Sequence, residues 1–156
     1  MTMRKLMGLA PLLFLPVALA GCASIEPYGN FLGANAPATL NEKLAADTVK
    51  QLTVLYPPAS TRFDLGQPTP DAYGSALVES LRIKGYAILE FEPDEAAPMD
   101  NPNTAGSGLN LRYVLDAPAR TNLYRVTVMV GSQSLSRAYV AQNDTVAPAG
   151  AWVRKE

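Results

Sequence analysis

The chain contains no histidine. That removes the commonest metal ligand and the usual proton carrier near neutral pH. Cysteine occurs once, at Cys22, so no disulfide can form within one chain. Charged residues make up 17% of the sequence and the formal net charge is −1, with no Lys/Arg cluster. Nothing here forms the basic footprint of a nucleic-acid binder, and nothing points to electrostatic attachment to a membrane. The apolar run Leu6 to Ala18 is too short, and too broken by Pro11 and Pro16, to read as a membrane-spanning helix.

Catalytic patterns are equally sparse. Without histidine a nucleophilic triad lacks its usual base. Ser75 and Lys84 are nine positions apart on one predicted helix, so they form no dyad. Glu90, Glu92, Asp94 and Glu95 form an acidic run that reads as a solvated strand end rather than a calcium or acid–base site. Gly106-Ser107-Gly108 is too short for a phosphate cradle and opens no helix. No catalytic residue, metal site or dissociable cofactor is nominated, and the chain is not expected to be an enzyme.

What is present begins at the N-terminus. Arg4 and Lys5 precede the apolar run, which ends in Leu19-Ala20-Gly21-Cys22. A basic start, a short apolar middle and small residues at a cleavage point describe an export signal. Leu19, Ala20 and Gly21 resemble the peptidase recognition site of the bacterial lipoprotein lipobox, with Cys22 as the lipidated residue. The thiolate is a strong nucleophile for taking on a lipid. The resemblance implies a covalent diacylglycerol and an N-acyl chain on Cys22. Ala23 and Ser24, with no Asp beside the cysteine, favour the outer membrane by the sorting behaviour of that class.

The expected organisation is a signal peptide over 1–21, a lipidated tether over 22–39, a periplasmic domain over 40–145 and a tail over 146–156. The tether is rich in Pro, Gly and Asn, yet it contains Tyr28 and Phe31. Aromatics are unusual in an inert spacer. They either pack on the domain or dock into a partner, and both are nominated as partner-docking residues.

Within the domain, apolar spacing predicts a helix from Leu40 to Leu55, with Asn41 as N-cap and Tyr56-Pro57-Pro58 as its stop. Thr61 to Leu65 reads as a short strand. A second helix has Thr69 as N-cap, Pro70 at its first position, and Tyr73, Ala76, Leu77, Ser80 and Leu81 as one stripe. Lys84 closes it and Gly85 is the residue past its end. A strand over Tyr86 to Glu92 points Ala87, Leu89 and Phe91 inward. A polar loop over 93–108 reads as disordered. Leu109 to Asp116, Tyr124 to Val130 and Gln133 to Val140 alternate as strands, the last two joined by a hairpin turn at Gly131-Ser132. Tyr73, Tyr113, Tyr124 and Tyr139 fall at core-type positions. The expected fold is α+β, summarised as α-β-α-β-β-β. Two helices cover one face of a small, mostly antiparallel four-stranded sheet, whose other face carries Glu90, Arg112, Arg125 and Thr127 and can stay wet.

Several segments together resemble the TrbH family of conjugal transfer lipoproteins. They are Pro27-Tyr28-Gly29-Asn30-Phe31, Gln51 through Tyr56-Pro57-Pro58-Ala59, Thr69-Pro70-Asp71-Ala72-Tyr73-Gly74, and Gly85 through Phe91. The resemblance implies a structural component of a type IV secretion apparatus that moves DNA between cells. It further implies core-complex partners at the outer membrane, a place in a hetero-oligomeric ring and no direct contact with nucleic acid. The layout also resembles the small domains of secretin N-termini and of the DotD lipoprotein. The alternative is a stand-alone outer-membrane lipoprotein that binds an envelope polymer or a small ligand. A polymer-binding module would more often cluster exposed aromatics on one sheet face, which this pattern lacks.

Overall fold

The computed structural model describes residues 28–32, 36, 38–93, 108–142 and 145–156. In chain order the elements are β1 (Gly29–Asn30), α1 (Ala38–Leu55), a 3-10 turn (Pro58–Ser60), β2 (Arg62–Leu65), α2 (Ala72–Ile83), β3 (Ala87–Leu89), β4 (Leu109–Asp116), β5 (Leu123–Val130), β6 (Gln133–Gln142), β7 (Thr145–Pro148) and β8 (Val153–Lys155).

The sheet is eight-stranded and mixed, with the order β3-β2-β4-β5-β6-β7 and with β1 added to β4 and β8 to β6. This corrects the expectation of a mostly antiparallel four-stranded sheet; the α+β class stands. The antiparallel part is the meander β4-β5-β6, in which Tyr113 faces Val128 and Val128 faces Leu135. The parallel part is β2 with β3, β2 with β4, and β1 with β4. Two physical reasons account for the difference. Five segments read as strands from the sequence all join the sheet, one more than the four-strand summary allows. Three further strands, β1, β7 and β8, are only two to four residues long, too short for alternation to show.

Long strands at the centre create room for these short ones. One edge of β4 takes β2 along Leu109 to Leu111 and β1 along Val114 and Leu115. One edge of β6 likewise takes β8 along Ser134 to Ser136 and β7 along Tyr139 to Gln142. The segment read as a tail thus supplies two strands, and the segment read as a tether supplies one. Parallel strands need a crossover connection, and α1 and α2 are those crossovers, between β1 and β2 and between β2 and β3.

Both helices pack on one face. Leu40, Leu44, Ala45, Val49 and Leu52 of α1 and Tyr73, Leu77, Val78 and Leu81 of α2 are buried against Phe63, Leu65, Leu111, Tyr113, Leu115, Val126, Val128, Val130, Leu135 and Tyr139. Each such apolar side chain contributes roughly 1.5–3 kcal/mol when fully buried. The opposite face, with Asp64, Asn110, Arg112, Asp116, Arg125, Thr127 and Ser136, has no covering layer among the described residues.

Local signals were read with mixed accuracy. The N-cap of α2 is Asp71, not Thr69: its carboxylate accepts the backbone N–H groups of Tyr73 and Gly74. A carboxylate at this end also meets the positive pole of the helix, which outweighs the Thr-Pro pattern. The far end is as expected. Gly85 has φ of 87° and sits past the Lys84 cap, with Gly85 N bonded to Arg82 O and Tyr86 N to Leu81 O. This is a complete Schellman closure, and only glycine adopts that φ without strain. Asn41 is no cap either; α1 starts at Ala38 and Asn41 is buried within it. In β3 the inward side chain is Ile88, with Tyr86 just before the strand also buried, while Leu89 is 54% exposed; Phe91, past the strand, packs against the core as expected. The reason is register: Ile88 lies beside the buried Phe63, which fixes the face.

Leu77 lies at the centre of the α2 stripe and is fully buried. Leu77→Ala should cost about 2–5 kcal/mol in thermal or denaturant unfolding. A loss under about 0.5 kcal/mol, the range of surface changes, would show that the stripe does not face a core.

A candidate docking segment at the sheet edge

The helix–sheet interface carries a buried polar seam. Asp71 uses one carboxylate oxygen to cap α2 and accepts the Tyr113 hydroxyl on the other. The Tyr113 and Tyr73 rings meet edge-on, 5.0 Å between centroids. Tyr73 donates its hydroxyl to Thr48 Oγ1 at 3.0 Å, while Thr48 donates to Leu44 O at 2.8 Å. A second carboxylate, Asp47, accepts Tyr139 OH at 2.6 Å and Arg137 at 2.8 Å. Burial pushes the hydroxyls of Tyr73, Tyr113 and Tyr139 well above the usual tyrosine range, and the carboxylates beside Tyr113 and Tyr139 push in the same direction. These tyrosines are therefore held protonated as donors. The seam joins structure; it does not poise a base.

Of the acidic run, Glu90 and Glu92 are among the described residues, and with Ser75 and Lys84 they form no reactive constellation there; Asp94 and Glu95 lie outside them. Glu90 pairs with Arg82, and Ser75 donates to Thr69 O at 3.3 Å. No group of three Asp, Glu, His or Cys residues that could hold a metal occurs among the described residues.

The nominated docking residues lie at the edge of β4. Gln67 follows β2 and accepts Tyr113 N at 2.8 Å, filling the gap between β2 and β1. Beyond it, Phe31 N bonds Leu115 O at 2.8 Å. Asn30 steadies the bend: its side chain accepts Leu32 N at 2.9 Å and donates to Asn41 at 3.3 Å. The two aromatics separate here. The Tyr28 ring lies under the Arg112 guanidinium, 4.9 Å from its carbon to the ring centroid. The Phe31 side chain is 52% exposed.

Arg112 is unusual. Its Nε is buried with no hydrogen-bond partner, and it makes no ion pair with the described residues. Neighbouring arginines on the same face are paired, Arg62 with Asp64 and Arg125 with Asp116. Gly66 leaves room for it, because a Cβ there would come within 2.5 Å of Arg112 Nε. Leu19, Ala20, Gly21 and Cys22 lie outside the described residues, as do 94–107 of the long loop.

Sequence reasoning missed Arg112, Gln67, Asp71 and Asp47 as partners. The bond of Asp71 to Tyr113 spans 42 positions, and no local pattern encodes such a separation.

Two outcomes follow. Above pH 10 an unfolded chain releases its tyrosine protons, while the three raised tyrosines keep theirs in the fold. Stability is therefore unaffected by these groups below pH 10 and falls as pH rises beyond it, by about 1.4 kcal/mol per pH unit for each tyrosine that stays protonated. Denaturant unfolding between pH 9 and 11.5 measures this; a flat profile would mean that these hydroxyls titrate freely. Tyr28→Ala should lower stability by roughly 1 kcal/mol through loss of the cation–π contact and its packing, and Phe31→Ala should stay within about 0.5 kcal/mol of wild type. Equal losses would place Phe31 in the core.

No curated protein and no solved structure matches this chain, so the likeness to secretin N-terminal and DotD domains gains no support. A family match is present: the family described as conjugal transfer protein TrbH matches residues 25–156. That span takes in both helices and all eight strands. The chain belongs to the TrbH family of conjugal transfer proteins.

Proposed function

We propose that the protein is an outer-membrane lipoprotein, anchored through acylated Cys22 and facing the periplasm, that acts as a structural part of a conjugative type IV secretion apparatus. The observation that carries this is the TrbH family match over residues 25–156, joined to the Leu19-Ala20-Gly21-Cys22 pattern that precedes it. No described helix is long and apolar enough to cross a membrane, and an acyl anchor needs none. One acyl chain binds a bilayer only marginally, at about 0.8 kcal/mol per buried CH₂; three chains hold it durably.

Partners in this reading are outer-membrane core-complex proteins, with the domain as one member of a hetero-oligomeric ring. Phe31 is the docking residue best placed for them, because its backbone is pinned to β4 while its ring stays exposed. An aromatic fixed in this way loses little entropy on entering a partner pocket. Tyr28 serves the same contact by holding the segment in place. The protein catalyses nothing and touches no DNA.

Labelling cells with a fatty-acid analogue tests the anchor. Wild type should take up label and Cys22→Ser should not; an unlabelled wild type rejects the lipoprotein assignment. For docking, Phe31→Ala should weaken co-purification with envelope components and reduce DNA transfer. Truncating a desolvated aromatic anchor commonly costs about 2 kcal/mol or more, on the order of thirtyfold in affinity. Co-purification at the wild-type level would remove Phe31 from the interface.

A further inference from the structure

We infer that the open face of the sheet lies against the phospholipid headgroups of the membrane that holds the anchor. This deepens the lipoprotein reading and rests on acylation of Cys22. It follows from the length of the leash and from the point at which the leash leaves the fold.

Six peptide units separate Cys22 from Tyr28. Fully extended, they reach at most about 22 Å. A domain of about 100 residues has a radius of gyration of roughly 13 Å and so is some 30 Å across. The leash is shorter than the body it holds. A leash shorter than the body excludes orientations that turn its point of departure away from the bilayer, and favours the side from which it departs.

That side is fixed by three contacts. Gly29 and Asn30 pair with Val114 and Leu115, so the chain is already locked into the sheet two residues after the leash ends. Tyr28, the last residue before the lock, is stacked on Arg112. Arg112 alternates with the buried Leu111 and Tyr113, so its side chain belongs to the open face, away from α1 and α2. The leash therefore leaves on the open-face side, and the helices lie on the far side of the sheet.

The chemistry of the open face suits headgroups better than acyl chains. It carries Arg62, Asp64, Asn110, Asp116, Arg125 and Thr127, interspersed with Leu89, Val114, Leu123, Met129 and Val140. Arg112 there has no acidic partner among the described residues and has an unsatisfied buried donor at Nε. With no described carboxylate paired to it, the Arg112 guanidinium is the unpaired cation on this face that a lipid phosphate would meet.

The sole native thiol is the acylation site, so an introduced cysteine is a unique labelling position in the acylated protein. Thr127→Cys places a fluorophore on the open face, and Glu79→Cys places one on the exposed side of α2. The full acylated chain is reconstituted into vesicles of phosphatidylethanolamine and phosphatidylglycerol carrying a headgroup-attached quencher. The label at position 127 should be quenched severalfold more than the label at 79. A Gly/Ser insert of about 20 residues after Ser24, with an r.m.s. span of roughly 25 Å, should abolish the difference while flotation with vesicles is kept. Equal quenching with the native leash, or stronger quenching at 79, overturns the orientation and leaves the anchor intact. Failure of the wild-type chain to float with vesicles overturns both.

Discussion

The carboxylate of Asp71 is the point on which the helix layer and the sheet are joined. One of its oxygens satisfies two orphan backbone donors at the start of α2, and the other takes the hydroxyl of Tyr113 from the middle of β4. Asp71 is half-buried, and its donors come from two different elements, so the bonds form only when helix and sheet are correctly placed together. Asp47 repeats the arrangement at the other side of the interface, accepting Tyr139 and Arg137 of β6. Tyr73 and Thr48 link the two helices between them. Apolar burial supplies the bulk of the stability, while these pairings select one register of helices over sheet.

The sheet solves its edge problem by segmentation. β4 and β6 are eight and ten residues long, and each has a free edge that would invite strand addition. Pairs of short strands drawn from both ends of the chain cover these edges. The covering strands bring both chain ends to the sheet and fix where the N-terminal segment leaves the domain. A stretch rich in Pro, Gly and Asn thus contributes a strand to the sheet. The ordered part also divides its two aromatics, one held by a cation on the open face and one left exposed. Family membership in conjugal transfer thus sits on a small α+β body whose N-terminal segment is paired into its sheet.

Legibility followed the range of the interaction. The α2 helix, the Gly85 closure and the β5–β6 hairpin were readable because periodicity, a positive-φ requirement and a two-residue turn are all encoded within a few positions. The inward face of β3 was not readable. Ala87 and Leu89 are as apolar as Tyr86 and Ile88, and the choice between the sets rests on pairing with Phe63 in β2. The cap of α2 was misplaced by two residues because Thr-Pro and Asp both carry start signals, and the competition is settled by which oxygen reaches the free N–H groups.

The sequence by itself determined the class of the fold: two amphipathic helices on one side and alternating strands on the other, in an α+β arrangement. These are properties of composition and of short-range order, so one chain suffices to read them. Tertiary structure alone decided that the sheet has eight strands and parallel as well as antiparallel pairs. It also decided that Asp47 and Asp71 are half-buried hydrogen-bond acceptors between helices and sheet, and that Tyr28 packs on Arg112 while Phe31 is exposed. Each of those outcomes depends on partners dozens of positions away, and the free energy of such contacts exists only once the chain has closed the loops between them.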